Sequence, residues 1–163
     1  MAETKYVVFK LGAETYGLPI DTVERILPEQ SVTPVPKVHK AFLGLFDLRG
    51  ETVPALDLRT RFGFEKQTGT SNFIVIFTSW GRCSIRVDSV DGIVSLEDND
   101  IEDKPSVFDR ADEDDFVRGV GKHDEKLIII VEPDNTVPKE VRTQLAKPSK
   151  AKAKETEPVL KAA

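Results

Sequence analysis

The chain has 163 residues, 39% hydrophobic and 31% charged, with a formal net charge of −5. That suits one ordinary domain or two small ones around a modest core. No apolar run approaches the roughly 20 residues of a membrane-spanning helix, and the single cysteine, Cys83, excludes an internal disulfide and fits a reducing compartment.

The first residues, MAETKYVVF, lack the basic start and apolar stretch of an export signal, so the cytoplasm is the expected location. From Lys5 to Leu11 the chain alternates, with Val7, Phe9 and Leu11 opposite Tyr6, Val8 and Lys10. This predicts a strand, followed by a turn over Gly12–Thr15 and a second strand marked by Tyr16, Leu18 and Ile20. Asp21 is placed to cap a short turn in which Val23, Ile26 and Leu27 fall roughly at helical spacing. Pro28, Pro34 and Pro36 predict a loop from Pro28 to Lys37.

Then comes the most patterned stretch, GLFDLRGETVPALDLRTRFG from Gly44 to Gly63. Two largely apolar runs, Leu45–Leu48 and Val53–Leu58, flank Arg49-Gly50-Glu51, and a glycine there accepts the positive φ of a hairpin turn. In the second run Pro54, Leu56 and Leu58 share one parity while Asp57 and Arg59 share the other, which predicts a strand with one buried face. Arg49 is left at the tip. It is either a solvated turn residue paired with Glu51, or an anchor for a partner, a role in which arginine is enriched. Glu65–Asn72 reads as a loop.

From Phe73 the pattern begins again. Shifted by 67 positions, Tyr6–Phe9 falls on Phe73–Ile76, Leu18 and Ile20 on Ile85 and Val87, and Val23 on Val90. Shifted by 75, Gly44-Leu45 falls on Gly119-Val120 and Val53–Asp57 on Ile128–Glu132. The eight-residue difference is an insertion within Glu97–Asp115, which holds ten acidic and two basic residues and reads as a solvated loop. The expected organisation is therefore a domain over 1–138 built of two pseudo-repeats, 5–63 and 72–136. Units so small need to pack together. Short strands with Gly/Pro turns predict a mainly β protein of closed or nearly closed barrels.

Pro138 is placed to open a short helix over 139–146, with Val141 and Leu145 on one face. The remaining 147–163, rich in Lys, Ala and Pro, buries too little to order itself. From Lys139 onward the balance is +4, so the body carries −9, which argues against nucleic acid as the main ligand.

Little in the sequence points to chemistry. Cys83, His39 and His123 stand at no zinc-ligand spacing, and Cys83 shares parity with Ile85 and Val87 as a core thiol does. Asp47, Asp57 and Asp88 are candidates for an acid–base pair, but carboxylates on strands and turns are common and nothing fixes their separation. Gly119-Val120-Gly121-Lys122 lacks the remainder of a phosphate-binding loop and reads as a turn between strands. No cofactor, metal or catalytic residue is expected.

The stretch from Gly44 resembles the hallmark of the CheW family of chemotaxis coupling proteins, a segment like G-V-x-x-L-R-G-x-x-x-P-V-x-D-L-R. Here it stands as Gly44-Leu45-Phe46-Asp47-Leu48-Arg49-Gly50 and Val53-Pro54-Ala55-Leu56-Asp57-Leu58-Arg59. Phe9–Gly12, Tyr16-Gly17, Ile20, Thr33–Pro36, Val87–Val90 and Phe116–Glu132 follow in family order. The resemblance implies two intertwined five-stranded SH3-like β-barrels with short helices. It implies a non-catalytic cytoplasmic adaptor between methyl-accepting receptor tips and the regulatory domain of a CheA-type histidine kinase, with other CheW-like proteins as further partners. By position, the implied partner-binding residues are Val23, Gly44, Arg49 and Gly50, with the two glycines shaping backbone and Arg49 making contact.

Two residues depart from the family. Arg25 stands in Val23-Glu24-Arg25-Ile26 where glutamate is usual, and Asp47 where asparagine is usual. Arg25 reverses a charge, so the partner carries a compensating acid, Glu24 substitutes, or the position is unused. A specialised array, such as one for surface motility, is compatible with these departures. The alternative class is a small-barrel nucleic-acid-binding module.

Overall fold

In the computed structural model, residues 3–36, 40–64, 69, 71–79, 81–103 and 116–137 are described. The expected helix over 139–146, the tail 147–163, His39 and most of the acidic loop lie outside them.

The chain runs through strands β1 (Glu3–Leu11) and β2 (Glu14–Pro19), a 3₁₀ turn (Ile20–Thr22), β3 (Val23–Pro28), β4 (Phe42–Leu48), β5 (Glu51–Asp57) and the one-turn helix α1 (Leu58–Arg61). It continues through β6 (Asn72–Thr78), β7 (Gly81–Val87), β8 (Ser89–Glu97), a 3₁₀ turn, β9 (Ile101–Asp103), β10 (Val117–His123), β11 (Lys126–Val131) and a closing 3₁₀ turn (Pro133–Thr136). The protein is mainly β, as its alternating segments predict.

The strands form two sheets, ordered β3-β6-β7-β5-β4 and β8-β1-β2-β11-β10-β9. Each sheet borrows a hairpin: β6–β7 completes the sheet of β3, β4 and β5, while β1–β2 completes that of β8 to β11. The pairings match at the offsets seen in the sequence. Val23 faces Ile76 where Val90 faces Phe9. The parallel pair Ala55–Ser84 matches Ile130–Gly17.

Each sheet wraps its own apolar cluster, as an SH3-like barrel does. Phe46, Val53, Ala55, Phe73 and Val75 fill the first barrel. Tyr6, Val8, Leu96, Ile128 and Ile130 fill the second. A third and larger cluster, including Phe9, Leu18, Leu56, Leu58, Ile74, Ile76, Ile85 and Val131, draws on strands of both sheets and joins them. Several strands are therefore buried on both faces. In β5, Val53 and Ala55 enter one cluster and Leu56 another, and Asp57 is itself buried at 1% exposure. The expected single buried face is thus replaced by two, because this strand lies between two cores.

Three other expectations change. Val23–Pro28 is a strand, since the same apolar positions pair with β6. The second sheet has six strands, because the insertion supplies β9, where the first barrel has only a single bridge between Thr33 and Leu45. Gly119 and Gly121 lie within β10, not in a turn. A Cβ at Gly119 would stand 2.8 Å from the Glu102 carbonyl oxygen, so the close approach of β9 demands glycine.

Candidate functional site

The hairpin of β4 and β5 closes with Leu48 opposite Glu51. Arg49 has φ 53° and Gly50 φ 88°, both left-handed. This is the mirror-image two-residue turn whose twist matches the strands. Gly50 has open space around it, so its requirement is conformational. Asp47 Oδ2 accepts a long 3.4 Å hydrogen bond from the Gly50 N–H.

Arg49 is exposed, and it has no hydrogen bond or ion pair among the described residues. Its expected partner, Glu51, pairs instead with Arg82 Nη1. Arginine is a poor choice for this backbone, because a side chain in the left-handed region costs about 1 kcal/mol, less for asparagine or glycine.

Gly44 sits at a bulge in β4 with φ 143°, and it is buried. Thr33 exchanges backbone hydrogen bonds of 2.7 and 2.9 Å with Leu45 beside it. A Cβ on Gly44 would lie 2.1 Å from the Thr33 carbonyl oxygen, so this glycine seats the proline-rich segment against β4.

Val23, Glu24 and Arg25 open β3. Val23 is half-buried against the central cluster. Glu24 has no partner across the sheet, because β3 bulges between Val23 and Arg25. A bulge brings successive side chains towards the same side, and Arg25 Nε lies 3.4 Å from Glu24 Oε2. Arg82, on β7 opposite Phe77, places its Nε 2.9 Å from Glu24 Oε1. Arg82 thus bridges Glu24 and Glu51, connecting the β3 bulge to the base of the Arg49 turn.

Sequence reasoning missed Arg82. Its signal was present in Gly81–Val87, where Arg82, Ser84 and Arg86 alternate with buried Cys83, Ile85 and Val87. An alternating arginine pair in a strand points to carboxylates on neighbouring strands. Arg86 indeed meets Glu29 at 3.3 Å and Ser71 at 2.9 Å.

The three aspartates considered for acid–base work are not brought together as a free set. Asp47 is at the turn. Asp57 accepts from the Thr60 hydroxyl at 2.9 Å. Asp88 receives both Nε and Nη2 of Arg59 at 2.7 Å and the Gly12 N–H at 2.6 Å. The Arg59 hydrogen bonds, helped by Gly12 and opposed by burial, hold the Asp88 carboxyl below its ordinary range. This clamp ties the β1–β2 turn, α1 and the β7–β8 connection. Beside it lies an open hollow of about 440 Å³ lined by Leu11, Gly12, Glu14, Arg59 and Phe64. Burial pushes the Cys83 thiol up, as suits a core residue. Among the described residues no group of three or more His, Cys, Asp or Glu could hold a metal ion, and no helix is long and apolar enough to cross a membrane.

Among the described residues, charged side chains thus gather around an exposed hairpin tip. The family model of the CheW-like domain matches residues 5–141. The chain is 30% identical over 130 residues to the chemotaxis protein CheW of Klebsiella aerogenes, covering 78% of each. It is 26% identical over 138 residues to the chemotaxis protein CheW of Helicobacter pylori, covering 83% of this chain and 82% of that one. The crystal structure of the scaffolding protein TtCheW from Thermoanaerobacter tengcongensis superimposes with a TM-score of 0.73 at 33% identity, over 80% of this chain and 90% of that one. The chain belongs to the CheW-like domain family.

Proposed function

We propose that this protein is a non-catalytic cytoplasmic adaptor that couples chemoreceptors to a CheA-type histidine kinase in a bacterial chemotaxis or motility array. The observation that carries this reading is Arg49: exposed, held in an unfavourable backbone conformation at a hairpin tip, and without a partner of its own among the described residues. A residue that the fold pays to present is a candidate contact. The domain is read as residues 1–138, formed by copies at 5–63 and 72–136.

The kinase regulatory domain would dock on the first barrel around Arg49, Gly50, Val23, Glu24 and Arg25, with Gly44 holding the backbone beneath. Receptor tips would bind near the groove between the barrels, where the hollow beside Arg59 lies. Other CheW-like proteins are further candidate partners, while nucleic acid and direct membrane insertion are not part of the reading. Signal would pass through contacts that differ in strength between two kinase geometries, without bond chemistry.

Co-sedimentation with purified receptor and kinase tests this. The wild-type chain is expected to enter the array. Arg49→Glu is expected to stay folded by circular dichroism and to be left behind. A wild-type chain that stays in the supernatant would overturn the proposal.

A further inference from the structure

The face around Arg49 holds five close charges and an aromatic ring. Glu24, with 17% of its side chain exposed, and Glu51, with 64%, both pair with Arg82. Phe77, directly across from Arg82, is 48% exposed. Arg25 shares only Glu24, at 3.4 Å. The third acid, Asp47, lies by the Gly50 N–H. Arg82 thus shares Glu24 with Arg25 and draws to itself Glu51, which is only two residues from Arg49.

From this arrangement, and resting on the adaptor reading, we infer that Arg82 sets the partner specificity of the first barrel by withholding Glu51 from Arg49. The face it leaves fits a protein surface that brings a carboxylate to Arg49 and an apolar residue over Phe77. Charge complementarity of this kind selects partners and speeds encounter, and exposed aromatic and arginine side chains are the usual anchors. The second barrel has none of it. At the matching places stand Asp91, Gly92, Lys122, Asp124, Glu125, Lys126, Thr15 and Lys10, with no arginine and no aromatic ring, and Asp91 lies 4.0 Å from Lys10. A partner built for an exposed arginine beside an aromatic ring would find neither on the second barrel.

Arg82 acts here as a positioning residue, which a rescue experiment separates from a structural or contact role. The probe is the purified regulatory domain of a CheA-type kinase, titrated calorimetrically against full-length protein at low and high salt. Arg49→Gln is expected to weaken binding about tenfold and to lessen its salt dependence. Arg82→Gln is expected to weaken it about as much, because the freed Glu51 turns to Arg49. Adding Glu51→Gln to Arg82→Gln is expected to recover binding to within about threefold of wild type. Wild-type affinity in Arg82→Gln, or no recovery in the double variant, would overturn the inference. A second readout needs no partner. Solvent exchange of the Arg49 Nε proton, followed by NMR, is expected to slow in Arg82→Gln and return to the wild-type rate in the double variant. Unchanged exchange in Arg82→Gln would overturn the inference even if the kinase domain bound nothing, whereas failure of wild-type binding alone would count against the adaptor reading.

Discussion

The two barrels close their central hairpins with the same backbone and opposite chemistry. Arg49 and Gly50 have φ 53° and 88°, and Asp124 and Glu125, between β10 and β11, have φ 52° and 62°. Both turns are the mirror-image type, and neither barrel needs arginine to make it. Asp124 is the more comfortable occupant, since aspartate tolerates the left-handed region better. The fold therefore specifies the turn, while the arginine at its tip calls for another explanation. A clamp is also present on one side only. Arg59 and Asp88 lock together, but their counterparts are Asp134 and Asp21, two acids. Asp134 instead accepts the Ser79 N–H at 2.8 Å.

The largest effect that would break the comparison is at the bulge glycines. Gly44→Ala meets a backbone oxygen at 2.1 Å with φ 143°, whereas Gly119→Ala meets one at 2.8 Å without a positive φ. Urea denaturation is expected to show losses of about 4 and about 2 kcal/mol respectively. Equal losses would mean that the two barrels are packed alike there.

Next comes the one-sided clamp. Asp88→Asn is expected to cost about 2 kcal/mol at neutral pH, since a charge-assisted bidentate pair is lost. Because Asp88 titrates lower when folded, its contribution is present above the ordinary aspartate pKa and fades as pH falls through the depressed folded value. The gap between wild type and Asp88→Asn should therefore shrink below about pH 4. A gap unchanged at pH 2 would place the stabilisation elsewhere.

The smallest effect sharpens the comparison of turns. Glu125→Gly relieves a left-handed side chain and should raise stability by about 0.5 kcal/mol, after the added freedom of the unfolded chain is counted. A loss of stability would show that Glu125 makes contacts that outweigh its backbone strain.

Much of this was legible in the sequence. The strands announced themselves through period-two alternation, and the Arg-Gly turn through its glycine. Hidden were features set by long-range pairing. Alternation in β1 shows apolar side chains on both parities, but not that Tyr6 and Val8 enter one barrel while Phe9 enters the cluster between barrels. The exchange of hairpins is invisible for the same reason, since a strand's own residues do not name its neighbour. Val23, Ile26 and Leu27 read as helical because their i, i+3, i+4 spacing fits a helix, and pairing with β6 decided the outcome. Of the site, Arg49 stood out by its place in the turn, whereas Arg82 emerged only when β3, β7 and β5 were brought side by side.

The central claim is that Arg49 serves a partner and not the fold. Arg49→Asn and Asp124→Asn place the same residue at the same turn position in the two barrels, at φ values one degree apart. Both variants should melt at or slightly above the wild-type temperature. In co-sedimentation with receptor and kinase, Asp124→Asn should enter the array as wild type does, and Arg49→Asn should lose most of its incorporation. Equal incorporation of the two variants would contradict the account.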